Sequence, residues 1–198
     1  MLTAAVTFSL AAAAIVLLPG PDTMLMLRAV AAAGRGGAVR TAAGILTGLT
    51  IWMTAASLGL AALLHASEVG YTVLRVLGAA YLLLLGVQTL RRRSGPDRKG
   101  VLGTGYAAGL TCNLFNPKVG VFFVTFLPGF VPSGASVAAS SLVFGGIYVV
   151  ETVVYFAVLL VSVERLTRWL RDDRTRRRIE RVSGAVLIGF GLRLATES

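Results

Sequence analysis

Six apolar stretches punctuate the chain, at roughly 3–27, 39–63, 70–90, 101–131, 136–162 and 180–196. Each approaches or exceeds the ~20 residues that cross a bilayer as a helix. None shows the alternation of apolar and polar positions that marks a transmembrane barrel strand. The pattern predicts an all-α integral membrane protein with six transmembrane helices in a single domain, residues 1–198.

Polar and charged residues gather between these stretches, and unevenly. Three alternate connections hold sixteen of the nineteen basic residues. The first has Arg28, Arg35 and Arg40. The third has Arg91, Arg92, Arg93, Arg98 and Lys99. The fifth has eight arginines between Arg165 and Arg181. The second and fourth are nearly uncharged. By the positive-inside rule the basic loops face the cytoplasm, so both termini face outside. The formal charge of +10 would otherwise suggest an anionic partner; here it reads as orientation, and no nucleic-acid partner is expected. Glu164, Asp172, Asp173 and Glu180 among the arginines fit a short interfacial helix. Residues 1–14 contain no Lys or Arg, so the first stretch reads as a retained helix rather than a signal peptide.

Composition narrows the chemistry. Hydrophobic residues are 56% and charged residues 14%, against about 25% charged in soluble domains. Cys112 and His65 are the only residues of their types, so no zinc-type cluster and no cofactor are expected. There is no Gly-x-Ser-x-Gly elbow and no Walker loop; an enzyme is not expected.

The two halves align on one another. A shift of 96 sets LPGPDTMLML (18–27) over LFNPKVGVFF (114–123), with Pro21 on Pro117 and Asp22 on Lys118. A shift of 97 sets Gly37, Ala38 and Gly48 on Gly134, Ala135 and Gly145. A shift of 106 sets RVLGA (75–79) on RVSGA (181–185). The implied repeats, about 1–92 and 100–198, hold three helices each. An odd number makes the second copy enter the membrane from the other side, an inverted repeat of the kind that puts a transporter's substrate site near mid-membrane.

Helices one and four are predicted to break at proline: Pro19 and Pro21 in the first, Pro117 in the fourth. Gly20 loosens the first break further. Freed backbone groups in lipid must be satisfied or line a cavity. Asp22, Asn113, Asn116 and Lys118 sit at these breaks, and Glu151 lies near the middle of span five. A charge at mid-depth should face the bundle interior and be paired. Either acid is a candidate partner for Lys118, and either is a candidate proton carrier. Thr23, Thr111, Tyr81, Tyr148 and Tyr155 are lesser candidates for lining a cavity. Gly44 with Gly48, and Gly105 with Gly109, read as close-packing sites between helices. Arg75 reads as snorkelling to the headgroups. Trp52 and Trp169 have no assigned role.

These blocks resemble the LysE/RhtB family of bacterial amino-acid exporters. The similarity runs through LLPGPDTMLMLRAVAAAGRGGAVRTAAGILTG (17–48), LRVLGAAYLLLLGVQTLR (74–91), GLTCNLFNPKVGVFFVTFLPGF (109–130) and GAVLIGFGLRLA (184–195). The resemblance implies a six-helix protein of the bacterial inner membrane that exports an amino acid or related small metabolite, driven by proton entry. It points to Pro19, Gly20, Pro21 and Asp22 with Asn116, Pro117 and Lys118. Some relatives carry an acid early in the second helix; GILTGLTIWM (44–53) has none. The expected partners are the amino acid, a proton and the bilayer, with a homo-oligomer left open. The alternative is a cation or metal efflux protein or channel of the same superfamily, for which the shortage of Cys, His and clustered carboxylates is unfavourable.

Overall fold

A computed structural model of the chain describes residues 2–66 and 103–162, Ser133 excepted and with backbone alone for 60–66, together with isolated positions in 69–87 and 178–192. No strand occurs among the described residues, and the isolated positions are helical. Spans three and six otherwise lie outside the described residues. So do Arg75, Tyr81, Trp169, the third connection and the fifth up to residue 177.

Helix α1 (Leu2–Leu17) is 16 residues long. It stops where Pro19 and Pro21 follow, because a residue before proline is pushed out of the helical region. Its last bond is a tight one, from Leu18 N–H to the Ile15 carbonyl at 3.2 Å. Helix α2 (Pro21–Ala66) restarts at once. Proline suits the first helical position, where no amide partner is needed. The Gly20 carbonyl accepts the first bond, from Met24 N–H at 3.0 Å.

The connection expected around 28–38 is helical on both sides of a single residue. Gly34 alone departs, at φ 64° and ψ −168°, a region that costs glycine little and other residues much. A straight helix of 46 residues would run about 69 Å, more than twice a ~30 Å hydrocarbon core. The kink at Gly34 therefore separates two helices rather than bending one. The alanines flanking it favour helix, which is why an Arg- and Gly-rich segment did not open into a loop.

Span four is divided as the proline predicts. Helix α3 (Tyr106–Leu114) ends at Phe115, and helix α4 (Pro117–Val121) begins at Pro117 with Asn116 as its N-cap. It passes into a π turn (Phe122–Phe126) and a 3-10 turn (Leu127–Phe130). The parts before and after the break are bent by 52°. Helix α5 (Val137–Val161) follows, capped by Ser136. By length and composition the stretch Pro21–Gly59, which contains the Gly34 break, and helix Val137–Val161 are able to cross a membrane, as is the bent pair if counted as one span.

Packing depends on close approach of α2 and α3. A Cβ on Gly44 would lie 2.0 Å from the Tyr106 carbonyl oxygen, and one on Gly109 would lie 2.1 Å from that of Thr41. A Cβ on Gly48 would strike the Asn113 side chain at 2.6 Å. Gly105, expected to join this stripe, does something else. Nothing lies within 4 Å of it, and its φ of 110° opens α3. Its N–H donates to Thr41 Oγ1 at 2.8 Å.

An aromatic cluster locks α1 to the turns after the break and to α5. Phe8 stacks on Phe144 at 5.0 Å and meets Phe130 edge-on at 5.3 Å. Phe122 meets Tyr148 at 4.6 Å. Such pairs add about 0.5–1.5 kcal/mol each beyond burial. The outer faces of α1 and α5 expose Val6, Leu10, Val150, Val154 and Val158, as a bilayer requires.

Adding one methyl tests the glycine contact. Gly109→Ala forces backbone against backbone and should cost about 1–3 kcal/mol. That loss would appear as a lower thermal midpoint in detergent. Gly146→Ala, with nothing within 4 Å, should change stability by less than about 0.5 kcal/mol.

Candidate functional site

The two helix breaks lie against each other and complete each other's hydrogen bonds. The break after α1 frees carbonyl groups, because Pro19 and Pro21 carry no amide to bond them. Lys118, from the other break, reaches across. Its ammonium donates to the Ile15 carbonyl at 2.8 Å and to the Leu18 carbonyl at 3.0 Å.

The reverse traffic runs through Asp22. Its Oδ2 accepts from Asn113 Nδ2 at 2.9 Å and from Asn116 Nδ2 at 3.0 Å. Asn116 is used twice, since its Oδ1 also accepts from Lys118 N–H at 3.1 Å and caps α4. Both asparagines are buried, at 0% and 2% exposure. An uncapped, buried half-helix end would leave amides without partners, so this capping is what permits Pro117 to start a new helix there. Asp22 occupies the first turn of α2, where the helix dipole favours a negative charge.

The expected charge pairing takes an indirect form. Lys118 is bonded to carbonyls and Asp22 to amides. The other carboxylate oxygen of Asp22, Oδ1, is buried with no protein partner. An ammonium has three donors, and the two carbonyls take two of them.

Around these groups runs a crevice lined on one side by Val16, Gly20, Asp22 and Thr23. Leu49, Asn116, Lys118 and Val119 add to it, and α5 contributes Tyr148, Thr152, Tyr155 and Phe156. Its free volume is about 20 Å³, room for little more than one water. Gly20 matters here: a Cβ would stand 3.5 Å from Lys118 Nζ, so larger side chains would press on the ammonium. Tyr155 donates its hydroxyl to Thr23 Oγ1 at 3.4 Å.

Glu151 is not part of this crevice. It accepts a short hydrogen bond from Ser9 Oγ on α1, and its Oε2 is buried without a protein partner. The structure thus gathers Pro19, Gly20, Pro21, Asp22, Thr23, Asn113, Asn116, Pro117 and Lys118 at one crossing and sets Glu151 on the α1–α5 seam. Thr111 is exposed, with its carbonyl bonded to Phe115 N–H. Among the described residues no three His, Cys, Asp or Glu side chains gather to hold a metal.

Trp52 is a neighbour the residue pattern did not flag. Its indole N–H donates to the Asn113 carbonyl at 3.4 Å. A Cβ on Gly120 would touch its ring at 3.0 Å. It therefore spans the break, holding the end of α3 and the middle of α4. A signal existed: Trp52 continues the i, i+4 row of Gly44 and Gly48. Ser9 was also legible, as the one polar residue between Thr7 and Pro19.

A family model described as LysE type translocator matches residues 13–198. The chain is 33% identical over 203 residues to a membrane protein of Pseudomonas aeruginosa, covering 96% of this chain and 94% of that one. It is 26% identical over 196 residues to a membrane protein of Bacillus subtilis, covering 92% and 93%. It is 29% identical over 201 residues to the leucine efflux protein of Salmonella typhimurium, covering 96% and 93%. No solved structure matches the chain.

Two substitutions separate the halves of the cross-brace. Lys118→Met removes the donor from the Leu18 carbonyl and one of two donors from that of Ile15, and should lower stability by about 1–3 kcal/mol. Asp22→Asn keeps an oxygen able to accept from both asparagines and should lose less. Thermal unfolding in detergent orders the two; a larger loss for Asp22→Asn would contradict this bonding scheme.

Proposed function

The chain belongs to the LysE type translocator family, and from that premise we propose that it is a secondary exporter that carries an amino acid across the bacterial inner membrane by exchange with protons. The carrying observation is the crossing of the two breaks. One acid and one ammonium lie together there, each with bonding capacity left over. An α-amino acid offers the complementary pair. Its ammonium goes to Asp22 Oδ1, and its carboxylate goes to Lys118, aided by the amino end of α2. The homology to a leucine efflux protein supports an amino acid as cargo.

A crevice of about 20 Å³ admits no amino acid, so transport requires the half-helices to part. Substrate supplies the reason to part: its carboxylate competes with the Ile15 and Leu18 carbonyls for Lys118. Six spans in two inverted three-helix repeats supply the means, because the same motion then opens either face. Both half-helices that start on aligned prolines, α2 at Pro21 and α4 at Pro117, support that reading; the alternating loop charge of the sequence supports an orientation with both termini outside.

The proton enters where the ammonium leaves. In the outward-open state a proton on Asp22 removes the negative charge that held the substrate, and substrate departs. In the inward-open state the proton is released and a new substrate binds. Glu151, on α5 outside the crevice and held by Ser9 of α1, is the second candidate carrier.

Counterflow in proteoliposomes tests the whole. The protein should exchange labelled amino acid against unlabelled, which an open channel does not. Asp22→Asn should reduce exchange at least tenfold, roughly the loss of one charged hydrogen bond of about 1.5–3 kcal/mol. Either Asp22→Asn or Glu151→Gln should abolish the pH dependence. Normal rates and an unchanged pH profile in both variants would sink the mechanism.

A further inference from the structure

We infer that the cargo is an amino acid with an uncharged, apolar side chain, a refinement that rests on the export reading above.

The charges set the first limit. Asp22 and Lys118 are matched by the ammonium and carboxylate that every α-amino acid carries. A basic side chain would need a second acid. Of the nine acidic residues in the sequence, Asp22 and Glu151 fall in the middle of apolar spans. Glu151 is turned to Ser9 and does not line the crevice. An acidic side chain would need a second base in the crevice; Arg28, six residues beyond Asp22 on α2, does not line it, and Lys118 is the one base among the described residues that does. A third charge would therefore sit uncompensated at mid-depth, which membranes penalise strongly.

The hydroxyls set the second limit. Tyr155 is engaged with Thr23. Thr152 Oγ1 donates to the Tyr148 carbonyl at 2.9 Å. These groups bond one another, so a polar side chain gains little by meeting them. The rest of the lining is Gly20, Asn116, whose amide is engaged at both ends, Tyr148, whose ring packs on Phe122 and Phe123, and four apolar side chains from four different helices, Val16, Leu49, Val119 and Phe156. Opening the crevice separates these side chains without changing their chemistry, and an aliphatic side chain is what they would receive.

The experiment is competition against labelled leucine in counterflow by the full chain. Unlabelled leucine and valine should compete at concentrations at least about tenfold below lysine or aspartate. Threonine should fall between, since an apolar pocket rejects an added hydroxyl by only about 100-fold at most. If lysine or aspartate competes as well as leucine, the side-chain class is wrong and export stands. If protein that keeps its thermal transition exchanges no amino acid, export and class fall together. A gain of function adds a second arm. Leu49→Asp supplies the missing acid and should gain lysine exchange. A folded Leu49→Asp protein that still prefers leucine over lysine overturns the assignment.

Discussion

Everything at the centre of this protein depends on two helix breaks that satisfy each other. A broken helix in a membrane leaves polar backbone without water to bond it, at several kcal/mol for each group. Here the carbonyls freed before Pro19 and Pro21 are taken by Lys118. The residues around Pro117 return the bond through Asn113 and Asn116 to Asp22. Each break thus supplies polar partners that the other needs. Their mutual dependence fixes where α1, α2, α3 and α4 must meet, and it places two charged side chains at one point.

The remaining packing serves that meeting. Gly44, Gly48 and Gly109 let α2 and α3 approach until backbone touches backbone, which brings Asn113 within reach of Asp22. Trp52 then clamps the far side of the bend against Gly120. On the opposite flank the aromatic cluster of Phe8, Phe122, Phe130, Phe144 and Tyr148 holds α1 against the turns that follow α4. A rigid apolar wall thus stands on one side of a polar crossing. Such an arrangement can change partners at the crossing without dissolving the wall.

Much of this was legible in the residues because proline and glycine act locally. Pro21 and Pro117 mark the starts of α2 and α4 to the residue, and the glycine spacing marks the seam. What was not legible depended on three-dimensional reach. Opposite charges on Asp22 and Lys118 suggested an ion pair, yet the nearest need of the ammonium is the carbonyls that proline had freed, and nothing in the charge pattern encodes that. Glu151 shares a helix with Tyr148, Thr152 and Tyr155, but at 100° per residue it lies a full step around from Thr152, enough to face Ser9 instead. Arg28, Arg35 and three glycines looked like a loop; the turn needed only Gly34, and its alanine neighbours kept the helix.

The choice of side chains at the crossing follows from counting donors and acceptors. Arginine at position 118 would present a rigid planar fork that two carbonyls and a nearby Gly20 do not fit. An asparagine there has two donors on a much shorter side chain and carries no charge. Lysine alone offers three donors on a compact head: two reach the freed carbonyls, and a third is left over. Aspartate at position 22 has the same property in reverse, with Oδ2 holding both asparagines and Oδ1 left over. Each charged residue is half engaged by the fold and half open. Under the export mechanism proposed above, a ligand that takes the open half would weaken the hold on the other, which is how binding would be coupled to structure.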